Sequence, residues 1–155
     1  MGRTAAAISQ EFHALTAADF DENDPAADGW GRLQALCDEA RDVGGPACIP
    51  AMFDVMERLD HADLGSPGPL VHTIEGWPGR YEHPLADSIR RKPSPLTIWM
   101  ANRILNHHPT TAEAWLDLLC GVRHHPTASP KTKADAEDFL RYQTATSLQR
   151  PSDAG

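Results

Sequence analysis

The sequence predicts an all-α domain of about seven or eight short antiparallel helices, on three observations. Apolar residues recur at the i, i+3, i+4 and i+7 spacing of a half-buried helix and nowhere alternate as in a strand. The chain carries 11 Gly and 13 Pro, and they punctuate the apolar-periodic stretches, so the helices must be short. At 155 residues a single domain is expected over 1–155, with residues 1–4 and 150–155 frayed. Two arrangements remain open on pattern alone. Pro-ended helices about every 20 residues suggest a HEAT-like α-solenoid, and a compact helical bundle is its rival.

Ile8, Phe12 and Leu15 define a first amphipathic helix that ends before an acidic loop. Trp30, Leu33, Leu36, Cys37 and Ala40 make the apolar face of a second, broken by Gly44-Gly45-Pro46. Ile49, Met52, Phe53, Met56 and Leu59 line a third that ends near Asp60, with Pro50 tolerated in the first turn because no partner awaits its missing N–H. Gly65-Ser66-Pro67-Gly68-Pro69 forces a turn and starts a short helix over Leu70 to Glu75, closed by Pro78 and Gly79. Pro84, Leu85 and Ile89 belong to a fifth helix, whose terminal Arg90, Arg91 and Lys92 complement the negative end of its dipole before Pro93 stops it. Ser94 as N-cap and Pro95 at the first helical position open a sixth, running to about Asn106 and burying Ile98, Trp99, Leu105 and either Asn102 or Ile104. The seventh spans Thr111 to Val122 with Trp115, Leu118, Leu119 and Val122 inward, and the eighth runs from Lys131 to Leu148 around Phe139, Leu140 and Leu148.

Charge is distributed unevenly. Residues 1–60 hold 12 Asp/Glu against 4 Lys/Arg, whereas residues 61–155 hold 10 of each, so the whole net charge of −8 lies in the first 60. Within that part, Asp19, Asp21, Glu22, Asp24 and Asp28 place five carboxylates in ten positions, a field that repels nucleic acid and attracts cationic partners. A solvated loop that only keeps the chain soluble is the plainer account of the same residues. Asp19, Asp21 and Asn23 match positions 1, 3 and 5 of an EF-hand, but Asp24 replaces the glycine and Trp30 the bidentate glutamate, which argues against calcium. Cys37, Cys48 and Cys120 fit neither a disulfide framework nor a zinc ribbon and are expected as reduced thiols. No apolar run reaches the ~20 residues of a membrane span, and the Ala5-Ala6-Ala7-Ile8 run is too short and polar for a secretory segment, so a cytoplasmic setting without membrane contact is expected.

Eight histidines invite a search for enzymatic chemistry, and the search assigns no catalytic, cofactor or metal site. There is no H-E-x-x-H, and His72 with Glu75 stands in the reverse order of the Glu-x-x-His pair of a di-iron bundle. His107-His108 and His124-His125 each precede a proline at a helix end, where imidazoles suit the last carbonyls. No G-x-S-x-G elbow or phosphate cradle occurs, and Arg90-Arg91-Lys92 is too small a basic cluster for nucleic acid. A helical enzyme using His72, Glu75 and His83 remains an alternative, as does a HEAT-like scaffold or adaptor for a peptide.

The most specific residue choices lie between Leu64 and Asn106, about 43 of the 155 residues: Leu64-Gly65, Pro67-Gly68-Pro69-Leu70-Val71-His72, Ile74-Glu75, Tyr81, Leu85, Ser88, Arg91, Pro93, Thr97, Trp99-Met100 and Asn102-Arg103-Ile104-Leu105-Asn106. This pattern resembles a family of small all-helical immunity proteins, or antitoxins, made beside bacterial polymorphic and contact-dependent growth inhibition toxins. The resemblance implies a non-enzymatic protein without cofactor that binds a cognate toxin domain in the producer's cytoplasm. Opposed fields raise association rates, so a cationic toxin domain, such as a nuclease with a basic cleft, fits an acidic surface at Asp19, Asp21, Glu22, Asp24 and Asp28. His72, Glu75, Trp99, Asn102, Arg103 and Asn106 are then expected as structural framework, with amide and guanidinium groups satisfying open carbonyls between helices.

Overall fold

A computed structural model describes the backbone of residues 3–149 and the side chains as far as Ser147. Among these residues eight α-helices follow one another: α1 (Ala5–Ala14), α2 (Gly29–Glu39), α3 (Ile49–Arg58), α4 (Gly68–Glu75), α5 (Glu82–Arg91), α6 (Pro95–Asn106), α7 (Ala112–Val122) and α8 (Pro130–Gln149). Short 3-10 turns at Ala17–Phe20 and Gly45–Cys48 and a π-helical turn at Ala40–Gly44 complete the order, and no strand occurs among the described residues. The protein is all-α. Its described residues gather into two compact units, the first ending at Ser88 and the second beginning at Ile89, so the boundary lies within α5.

In the first unit α1 starts where Thr4 Oγ1 accepts the Ala7 N–H at 3.1 Å. Arg3 donates to Glu11 at 2.7 Å and to Glu39 at 2.7 Å. Met1, Gly2 and residues 150–155 lie outside the described residues. Ile8, Phe12 and Leu15 are fully buried, and α1 packs on α3. The end of α1 is closed from α3, whose Arg58 donates to the Leu15 carbonyl at 2.8 Å and the Phe12 carbonyl at 3.1 Å. Asp54 holds that guanidinium at 2.6 Å and also takes His13 Nδ1 at 2.8 Å. α2 buries Leu33, Leu36 and Cys37 and packs on α4, which buries Leu70, Val71, Thr73 and Ile74. On α3 the expected Ile49, Met52, Phe53 and Met56 are joined in the core by Val55, and buried Glu57 accepts the Ser88 hydroxyl of α5 at 3.0 Å.

In the second unit α6, α7 and α8 pack on one another. The predicted start of α6 is realised as a reciprocal cap: Thr97 N–H donates to Ser94 Oγ at 3.3 Å, and Ser94 N–H to Thr97 Oγ1 at 3.0 Å. The buried face of α6 is Thr97, Ile98, Met100, Ala101 and Leu105. Trp99, expected in the core, is only half-buried and lies under the Arg103 guanidinium, 5.3 Å from the ring centroid. The inward face of α6 is set by Ile98, Ala101 and Leu105, which leaves Trp99 partly outside it. On α7, Trp115, Leu119 and Val122 are buried as expected, and Leu118 is half-buried. α8 departs furthest from expectation, since its deepest positions are Thr132, Ala136 and Gln143, with Phe139 and Leu140 half-buried. The expected inward Leu148 lies outside the described side chains.

The histidine doublets end their helices through backbone groups. His107 and His108 donate their N–H groups to Ile104 and Leu105, and His108 takes the left-handed conformation at φ 55°. His125 donates its N–H to Val122 and also uses its ring: Nε2 lies 2.7 Å from the Arg90 carbonyl, and Nδ1 lies 3.2 Å from the Thr127 N–H. The carbonyl can only accept and the N–H can only donate, which assigns the proton to Nε2.

Candidate protein-binding surface

The acidic segment is an ordered series of turns. Thr16 and Asp19 form a capping box over the Ala17–Phe20 turn, with the Thr16 N–H donating to Asp19 Oδ2 at 2.8 Å. Asp19 Oδ1 accepts from Arg32 at 3.0 Å. Asp21 Oδ1 then accepts the Asn23 N–H at 2.9 Å, and Asp24 Oδ1 the Ala26 N–H at 2.9 Å, each closing an Asx turn. Short polar side chains thus fold the backbone that carries them. At its end the segment meets α2 so closely that a Cβ on Gly29 would stand 2.4 Å from the Asp19 carbonyl oxygen.

This folding consumes only part of the charge. Asp19 is paired with Arg32 and turned toward its own loop. Asp21 and Asp24 each commit one oxygen to a backbone N–H and remain exposed anions. Glu22 and Asp28 are exposed and make no side-chain hydrogen bond or ion pair among the described residues. Two hollows adjoin along this segment. One of about 540 Å³ is lined by Ala17, Phe20, Asp21, Glu22, His61 and Asp63, and one of about 210 Å³ includes Asp24, Asp28, Trp30 and Asp63. Neither is lined by a lysine or an arginine.

Trp30 corrects a core assignment. Helical spacing places it with Leu33, Leu36 and Cys37, yet it is 45% exposed, whereas those three are 0–4% exposed. It stands in the first turn of α2, with its Cη2 close to the turn at Gly65. Gly65 has φ +104°, and a Cβ there would lie 2.3 Å from Gly68 Cα and 3.3 Å from Trp30 Cη2. Glycine is needed both for that backbone and for the contact with the indole.

The expected framework residues fall in both units. In the first unit His72 is exposed on α4 and Glu75 is half-buried, and exposed His83 pairs with Asp87 four residues on at 3.5 Å. In the second unit Asn102 is half-buried and Asn106 exposed, and their Oδ1 atoms accept the two hydrogens of Gln143 Nε2 at 2.7 and 2.8 Å. Gln143, 4% exposed, is the buried member of this amide cluster, and the sequence reading missed it. Its signal was there to be found, a polar residue seven positions beyond Ala136 on the inward face of α8. Arg103 is exposed over Trp99 instead of filling the interior.

Among the described residues no three His, Cys, Asp or Glu side chains gather to hold a metal ion. Burial pushes the Cys37 thiol up to about 12 and also raises Cys48, so both are protonated, poorly nucleophilic core groups. No helix among the described residues is long and apolar enough to cross a membrane. No family model, no curated protein and no solved structure matches the chain.

Proposed function

We propose that this protein is an immunity protein, which binds a cognate bacterial toxin domain in the cytoplasm and neutralises it by protein–protein contact. The observation that carries the reading is the exposed acidic segment of the first unit, which keeps Asp21, Glu22, Asp24 and Asp28 turned to solvent with no lysine or arginine among the residues lining its hollows. A fixed array of like charges is poorly suited to lowering the energy of the isolated chain and well suited to steering an oppositely charged protein. Many toxin domains act on nucleic acid and must carry a cationic cleft, which such a surface complements. Asp19 supports the loop by folding it, while the four outward carboxylates meet the partner.

Co-expression tests this. The gene adjoining that of the chain is expressed with and without the chain, and growth is measured together with size-exclusion elution of the purified mixture. Relief of toxicity with a 1:1 complex is the expected outcome. An adjoining product that is harmless, or one that stays toxic and elutes separately, sinks the immunity reading. A complex with a harmless neighbour favours a scaffold or adaptor in its place.

A further inference from the structure

Trp30 is an exposed large aromatic side chain of the first unit, 45% exposed in the first turn of α2. Its Cη2 lies close to the Gly65 turn, its indole N–H has no hydrogen-bond partner among the described residues, and the side chain is among those lining the hollow of about 210 Å³. That hollow is lined by Phe20 and Ala27 together with Asp21, Glu22, Asp24, Asp28 and Asp63. Tryptophan is the best cation–π acceptor among side chains and the residue type most enriched as a binding anchor. A neutral apolar partner would bury these carboxylates unpaired, and an anionic one would be repelled. A partner that brings cations is the occupant that both the ring and the lining carboxylates accept.

We propose that Trp30 is the anchor of a protein-docking site that takes an arginine-bearing basic segment of the partner, one guanidinium stacking on the indole with its N–H groups directed to the surrounding carboxylates. Arginine suits the site better than lysine, because its planar group stacks while its edge still donates bidentately, and its weaker hydration makes it easier to strip of water. The unpaired indole N–H is left to donate to a backbone carbonyl of the same segment. This rests on reading the acidic segment as a partner-binding face, and it adds the residue and the chemistry that the partner must present.

The test uses the full chain with 15N-labelled indoles at low ionic strength, titrated with acetylated, amidated hexa-arginine and hexalysine. The chain has four tryptophans, and Trp30→Phe identifies the Trp30 signal. A saturable shift of that signal, with those of Trp77, Trp99 and Trp115 unmoved, is expected, together with several-fold tighter binding of the arginine peptide. Trp30→Ala should weaken that binding by about tenfold, the scale of one partly desolvated cation–π contact. The three remaining indole signals report that the variant is folded. Binding unchanged in Trp30→Ala, equal affinity for the two peptides, or shifts confined to other indoles overturns the proposal. The two readings also separate: capture of hexa-arginine at Trp30 by a chain that rescues no toxin supports the anchor and sinks immunity. Full affinity of Trp30→Ala for a toxin that the wild type neutralises overturns the anchor and leaves immunity standing.

Discussion

Replacing Gly44 with alanine isolates how tightly the first helix is seated in its unit. Gly44 has φ −72° and ψ −39°, a right-handed helical conformation open to any residue. Backbone entropy alone would therefore let Gly44→Ala stabilise the fold by ~0.4–1 kcal/mol. Space decides otherwise. The new Cβ would lie 2.5 Å from Cys48 Sγ, 3.3 Å from Ile8 Cδ1 and 3.8 Å from Ala5 Cα, with Cys48 and Ile8 both fully buried. Overpacking a filled core costs ~1–3 kcal/mol, so a net loss of about 1–2 kcal/mol is expected after the entropic gain is offset. In urea, with a slope of roughly 2 kcal/mol/M, the midpoint should fall by about 0.5–1 M. Gly121 on α7 is the control, since a Cβ there meets nothing within 4 Å and Gly121→Ala should stabilise by ~0.5–1 kcal/mol. In a Cys48→Ala background the Sγ is gone, and Gly44→Ala should become neutral or favourable, a coupling of at least ~1 kcal/mol between contacting sites. Gly44→Ala as stabilising as Gly121→Ala, or a penalty that persists undiminished without Sγ, would refute the packing argument.

Two further outcomes are expected. Burial of Asp54 raises its carboxyl, but the hydrogen bonds from Arg58 and His13 outweigh it and hold the group below its ordinary value of 3.8. A depressed carboxylate contributes stability that is fully present above its unfolded value and is lost as pH falls through the folded one. The stability advantage of wild type over Asp54→Asn should hold steady from neutral pH down to about 5 and shrink below about 4, and urea midpoints across that range check it. On the acidic segment, Glu22→Lys with Asp28→Lys should slow association with the toxin domain about tenfold at low ionic strength, converging with wild type as salt screens the field. Stopped-flow rates that match wild type at low salt would remove electrostatic steering, and an unchanged urea midpoint would show that the charges are not needed for folding.

The elements whose limits could be read correctly are those set by neighbours in the chain. Ser94-Pro95 opens α6 because a hydroxyl acceptor and a preset φ act within one turn, and the N-cap geometry bears this out at 3.3 and 3.0 Å. Ile8, Phe12 and Leu15 were recognisable as core for the same local reason, as were Ile49, Met52, Phe53 and Met56. The acidic segment was visible by composition, but which of its carboxylates turn inward was not. Asp19 is consumed by Arg32, thirteen residues away, a distance along the chain that no spacing rule encodes.

By itself, the sequence determined the helical class, the order of the helices and the concentration of negative charge in the first 60 residues, since periodicity, caps and composition act over a few residues. Only the tertiary structure decided what covers each helical face. Helical spacing put Trp30 on the same stripe as Leu33 and Leu36, but the packing around α2 buries those two and leaves Trp30 45% exposed. The converse holds at Gln143, a polar residue admitted to the interior because Asn102 and Asn106 of another helix accept its N–H groups. Whether a side chain is buried depends on the partner opposite it, and that partner is chosen by packing between segments far apart in the chain.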